Sequence, residues 1–200
     1  MVLAYVKTHF KEICFIKICK LKYMINKAFY NLICLARNKK SLDIVNKFAH
    51  IDDYNQIIPN IYLGNINCAN NQQFLIDNNI QSIINCTMNE PFNEYFDNKN
   101  KLRLAITDSK ESDNIDKFKK QIFEAIYFIE NSIENDKPVY IHCYWGLMRS
   151  ATVVAAYLMK KYNMPKDDAI SIIREKRRYA LLSFYNFNEV LNYVEENMRK

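Results

Sequence analysis

Two glycines in 200 residues set the tightest limit on how this chain can fold. Average usage near 7% would supply about 14. Glycine occupies positive-φ backbone and lets two backbones touch without steric cost. In a chain so poor in it, a glycine marks a place that a side chain would obstruct. One is Gly64, closing Ile57-Ile58-Pro59-Asn60-Ile61-Tyr62-Leu63-Gly64. The other is Gly146, inside His142-Cys143-Tyr144-Trp145-Gly146-Leu147-Met148-Arg149-Ser150, between a cysteine and an arginine six positions apart. The residues before this stretch, Lys137-Pro138-Val139-Tyr140-Ile141-His142, have the pattern of a short buried strand. Those after it, Ala151 to Met159, have that of an apolar helix. A tight loop between strand and helix turns its amides inward at a helix N-terminus, which makes an anion site.

The rest of the chain repeats this alternation. Ile57–Gly64 predicts a turn and a strand, Asn70–Asp77 a helix, Ile80–Cys86 a strand, and Leu102–Thr107 another. Ile115, Phe118, Ile122, Ile126, Ile129 and Ile133 recur at steps of three and four, the apolar face of a long helix that Asp113 is placed to cap. Further helices are expected over Arg149–Tyr162, from Pro165 with Ala169, Ile170 and Ile173 inward, and around Phe187, Val190, Leu191 and Val194. The pattern predicts an α/β domain over 51–200, a mostly parallel central sheet of four to five strands flanked by helices.

Residues 1–50 are different. They hold ten Lys/Arg against two Asp/Glu, a net +8, whereas the remainder holds 18 against 20, a net −2. A helical, basic, apolar extension is expected here, with Ser41–Phe48 a short helix. No run of about 18 apolar residues is free of charge, so no transmembrane segment is expected. A solvated extension or one that packs a homodimer is the expectation over nucleic-acid binding. Six scattered cysteines and three histidines form neither a disulfide framework nor a zinc pattern, so no metal or cofactor is expected. A reducing, cytoplasmic setting fits, with nucleus or virion as alternatives. Cys86, late on a strand, reads first as a core residue, with a place facing Cys143 and a protective disulfide under oxidation as the lesser alternative.

A thiolate, not a thiol, is the nucleophile, and helix N-termini and cations lower its pKa. Cys143 is therefore the expected nucleophile, ringed by the amides of Tyr144, Trp145, Gly146, Leu147 and Met148. Arg149 is the expected clamp, since its planar fork pairs two phosphate oxygens. Thiolate attack on phosphorus would give a cysteinyl-phosphate that water resolves. Asp108, in the loop after the strand Leu102–Thr107, would lie on the same sheet rim and serve as general acid, then base. Asp113 is the alternative acid. Ser150 would donate a hydrogen bond to the Cys143 sulfur.

His142-Cys143-x-x-Gly146-x-x-Arg149-Ser150 resembles the signature of the cysteine-based protein tyrosine phosphatases. Residues from about 54 to 197 resemble their dual-specificity branch. Further likenesses lie at Ile58–Gly64, at Asp108, at Arg149-Ser150-Ala151-Thr152 running into Ala156-Tyr157-Leu158-Met159, and at Lys176-Arg177-Arg178. The resemblance implies hydrolysis of phosphotyrosine and phosphoserine/phosphothreonine in phosphoproteins, without a metal. It implies that His142 supports the loop and the low thiol pKa. Departures are Trp145 where alanine is usual, Met148 where serine is common, and Tyr179 where proline is usual, with Asn186 a loose match to an asparagine near the loop. Bulky Trp145 and Leu147 are expected to narrow the approach or to offer the substrate an apolar surface. Two other readings belong to related chemistry, phosphoinositides and the 5′ triphosphate of RNA. The loop holds no lysine to meet several phosphates. A third is a phosphoprotein-binding module without turnover.

Overall fold

A computed structural model describes residues 51–182 and 186–198. The chain divides into two compact units; the second, His50–Leu181 with Tyr185–Lys200, holds the sheet, its helices and the site. The expected extension, including the helix over Ser41–Phe48, lies outside the described residues.

Five strands form one sheet in the order β1-β2-β5-β3-β4. They are β1 (Tyr54–Ile58), β2 (Ile61–Gly64), β3 (Ser82–Asn85), β4 (Lys101–Arg103) and β5 (Val139–His142). Only the β1–β2 pair is antiparallel. It is a hairpin, turned at Pro59-Asn60, where Asn60 takes φ 64°. The hydrophobic pattern had indicated only its second strand, because β1 is a half-exposed edge with little apolar signal. β5 is central, and all four of its residues are buried, as expected of a strand covered on both faces.

The helices are α1 (Ile66–Ala69), α2 (Gln72–Asp77), α3 (Ser112–Glu134), α4 (Arg149–Tyr162), α5 (Lys166–Lys176) and α6 (Asn188–Met198). Phe74 of α2 sets its ring edge-on to Tyr140 of β5, with centroids 5.3 Å apart. The helix α4 packs on β5 and β2 and against α3, α5 and α6. Its first eleven residues are buried, which explains its uninterrupted apolar reading.

Two local expectations are corrected. Asp113 does not cap α3: the helix starts at Ser112 after Glu111, and Asp113 lies in its first turn. Its carboxylate still favours the positive end of the helix dipole. The strand expected over Leu102–Thr107 stops at Arg103. The Ile106 amide then donates to the Leu104 carbonyl at 2.8 Å, a tight turn that takes the chain out of the sheet.

Candidate active site

β5 delivers the loop at the sheet's C-terminal edge. His142 stands in register with Gly64 of β2 on one side and Asn85 of β3 on the other. Gly146 has φ +69°, and a Cβ built on it would run into the carbonyl and Cα of Gly64. A Cβ on Gly64 would in turn meet the Tyr140 hydroxyl and the Asp53 carbonyl. The two glycines thus serve one close crossing, the loop after β5 over the end of β2.

Every carbonyl of the loop is held from behind. Cys143 O lies 3.4 Å from His142 Nδ1. Tyr144 O accepts from the Ile66 amide at 3.2 Å. Trp145 O and Gly146 O accept from Arg177 Nη2 and Nε at 2.9 and 2.7 Å. Leu147 O accepts from the Leu181 amide at 3.0 Å, and Met148 O from the Thr152 amide at 2.8 Å and its hydroxyl at 3.0 Å. A trans peptide sets each N–H opposite the preceding carbonyl. With the carbonyls turned to these donors, the amides face the cysteine. Gly146 N–H accordingly donates to Cys143 Sγ at 3.2 Å. Among the described residues, no carbonyl takes the amides of Tyr144, Trp145, Leu147 or Met148. The result is a nest of donors, the geometry that binds an anion.

Cys143 sits at its centre, 1% exposed. Burial pushes its pKa up, but the Arg149 charge and hydrogen bonds from the Ser150 hydroxyl and amide outweigh it, and the thiol is more acidic than an ordinary one. The Ser150 hydroxyl donates to Sγ at 3.3 Å. The negative charge of Asp108 acts on the sulfur in the opposite sense, which places that carboxylate within its electrostatic reach.

Arg149 Nη1 donates to the carbonyls of Cys86 at 3.3 Å and Ile106 at 3.1 Å. Its Nε is buried and has no partner among the described residues. One edge of the guanidinium is therefore anchored while another remains for a ligand. The Ile106 bond also ties the Asp108 loop to Arg149. That loop is held again by Asn114, whose amide oxygen takes the Thr107 N–H at 3.0 Å and whose nitrogen reaches Thr107 O and Ser109 O. Asp108 itself is exposed and accepts from Asn186 Nδ2 at 2.8 Å. The loosely matched asparagine thus does stand at the site, on Asp108.

His142 is fully buried, its ring stacked on Tyr140. Burial lowers its pKa to about 3, so it is neutral under ordinary conditions. It supports the loop as a neutral ring at the Cys143 carbonyl; the cation that lowers the thiol is Arg149. Cys86 is fully buried, the core residue expected, and it continues the β3–β5 pairing by donating its amide to His142 O at 2.8 Å, which sets it beside Cys143. Both thiols are free. Trp145, Leu147 and Met148 are buried, and Tyr144 is the large side chain of the loop that is partly exposed.

Sequence reasoning missed Arg177, which in the sequence is only one residue of a basic segment. It is 3% exposed between exposed neighbours Lys176 and Arg178. One signal could have found it: it follows Ile173 by four, on the face that buries Ala169, Ile170 and Ile173. The amides of Ile66 and Leu181 carry no side-chain signal at all.

A family model for the dual specificity phosphatase catalytic domain matches residues 61–197. The chain belongs to that family. Human dual specificity protein phosphatase 16 is 29% identical over 141 residues, 70% of this chain and 21% of the human protein. Dual specificity protein phosphatase 1B of Arabidopsis thaliana is 31% identical over 130 residues, 64% of this chain and 74% of the plant protein. The crystal structure of human DUSP28 superposes with a TM-score of 0.66 at 19% identity, covering 74% of this chain and 97% of that one, a likeness of fold. The match to the human phosphatase spans about a fifth of that protein. No helix among the described residues of this dual-specificity domain is long and apolar enough to cross a membrane.

Proposed function

We propose that the chain is a protein phosphatase acting on phosphotyrosine and on phosphoserine/phosphothreonine. Cys143 Sγ attacks phosphorus, the ester P–O bond breaks, and Asp108 gives its proton to the leaving oxygen. Arg149 and the loop amides hold the three equatorial oxygens throughout. Asp108, now a carboxylate, takes a proton from water. The water oxygen attacks phosphorus, the P–S bond breaks, and inorganic phosphate leaves. Ser150 stabilises the departing thiolate through its bond to Sγ. Residues 51–200 are the catalytic domain and residues 1–50 an extension through which two copies pair. An oxidised Cys143 could not attack, so the enzyme works in a reducing, intracellular setting.

The observation that carries this reading is the set of outward-held carbonyls from Cys143 to Met148, which leaves an anion site around an acidified thiol. The test is turnover of an aryl phosphate and of phosphopeptides under reducing conditions, with Cys143→Ser alongside. Metal-independent activity sensitive to vanadate, and absent in the serine variant, is expected. Phosphopeptide binding without turnover in the wild type would overturn it in favour of a binding module. Equal solution masses for the full chain and a form starting near Ile51, both monomeric, would dispose of the pairing.

A further inference from the structure

We propose that Arg177 is a positioning residue of the phosphate loop, and that through it the segment Asp52–Asn55 shares in holding the loop's shape. This rests on the reading of Cys143 and its loop given above. Arg177 is almost fully buried, yet its acceptors are three backbone carbonyls and one amide oxygen. The Nε–Nη2 edge spans Gly146 O and Trp145 O, at 2.7 and 2.9 Å. Nη1 reaches the other way, to Asp52 O and Asn55 Oδ1, both at 2.8 Å. One rigid fork therefore joins parts of the chain up to 125 residues apart.

The two carbonyls it holds belong to the peptides whose N–H groups are those of Gly146 and Leu147. Gly146 N–H is one of the backbone donors to Cys143 Sγ, at 3.2 Å. Remove the guanidinium, and two buried carbonyls lose their partners. The peptide planes can then rotate to find others. A rotated plane would aim a carbonyl dipole, not an amide, at the thiolate and at the phosphate that replaces it. Lysine cannot restore both bonds, because its ammonium is a point donor without the planar fork. Asn55 holds the fork in register from the far side, so its loss should act in the same direction and more weakly.

The test uses the full chain as wild type, Arg177→Lys, Arg177→Met and Asn55→Ala, each corrected for folded fraction. Three quantities are read: the pH dependence of Cys143 alkylation by iodoacetate, located by peptide mass mapping; vanadate affinity; and kcat and KM on an aryl phosphate. In Arg177→Met the alkylation midpoint should move up, vanadate should bind more weakly, and kcat should fall about 100-fold with KM changing less. Arg177→Lys should lie between, and Asn55→Ala should shift vanadate affinity by about 2- to 10-fold. Should the methionine variant not fold, the other two carry the test. Folded Arg177→Lys and Asn55→Ala with wild-type midpoint and vanadate affinity would overturn the proposal and leave Arg177 a packing residue. Failure of the catalytic reading would show instead as an inactive wild type; alkylation and vanadate binding report on the loop even then.

Discussion

Replacing Gly146 by alanine tests whether the scarce glycines mark unavoidable backbone contacts. At φ +69° an L-residue carries a left-handed strain of about 1–2 kcal/mol. The new Cβ would also overlap the carbonyl group of Gly64 and come within 2.9 Å of its Cα. Those are backbone atoms of β2, which is paired to β1 on one side and β5 on the other and cannot recede. Overpacking of that kind costs about 1–3 kcal/mol. If the loop holds its place, the sum is roughly 2–5 kcal/mol, against about 5–15 for a whole domain. If the loop moves to escape, the 3.2 Å bond from Gly146 N–H to Cys143 Sγ goes with it. A displacement of about 1 Å costs on the order of 100-fold in rate. Urea unfolding followed by circular dichroism measures the first effect, and aryl phosphate turnover per folded molecule the second. A variant within about 0.5 kcal/mol of wild type and within about twofold in kcat would refute the reasoning.

Asp108→Asn should lower two readouts at once. Turnover should fall about 100-fold or more on esters with poor leaving groups and far less on good ones, while the midpoint of Cys143 alkylation should move down, because the Asp108 charge opposes the thiolate. Equal losses on both kinds of ester would move the acid elsewhere, with Asp113 next. His142 gives a prediction in pH. Its folded pKa of about 3 lies below the ordinary 6.5, so the unfolded chain binds its proton first on acidification. The stability it contributes is complete above 6.5 and is lost as pH falls from 6.5 toward 3, at up to about 1.4 kcal/mol per unit. Urea unfolding between neutral pH and about 4.5 should show that slope, and His142→Asn should flatten it. The same slope in both proteins would remove His142 from the account.

The active-site loop was legible because its chemistry demands residue types at fixed local spacing. The proposed reaction needs a nucleophile, a clamp and a hydroxyl along one strand–loop–helix turn, so Cys143, Arg149 and Ser150 announce themselves. The helices α3 and α4 were legible because burial on one face, or on nearly all faces, writes a periodic or continuous apolar pattern. β1 was not, since an edge strand that is half exposed has no such pattern. The end of β4 was missed because a turn at Leu104–Ile106 leaves no glycine or proline to mark it.

Two things were settled only by tertiary contact. One is what holds the loop's carbonyls: Arg177, Leu181 and Ile66 act from distant segments, two of them through backbone amides that any residue would supply. The other is why the chain keeps two glycines. Each alone predicts a backbone that tolerates no side chain, but that Gly64 and Gly146 press on one another emerges only when β2 and β5 pair in register. Local sequence carries the parts that react, because reactivity depends on side-chain type. The shape that makes them act together depends on atoms every residue has, and those are placed by the fold.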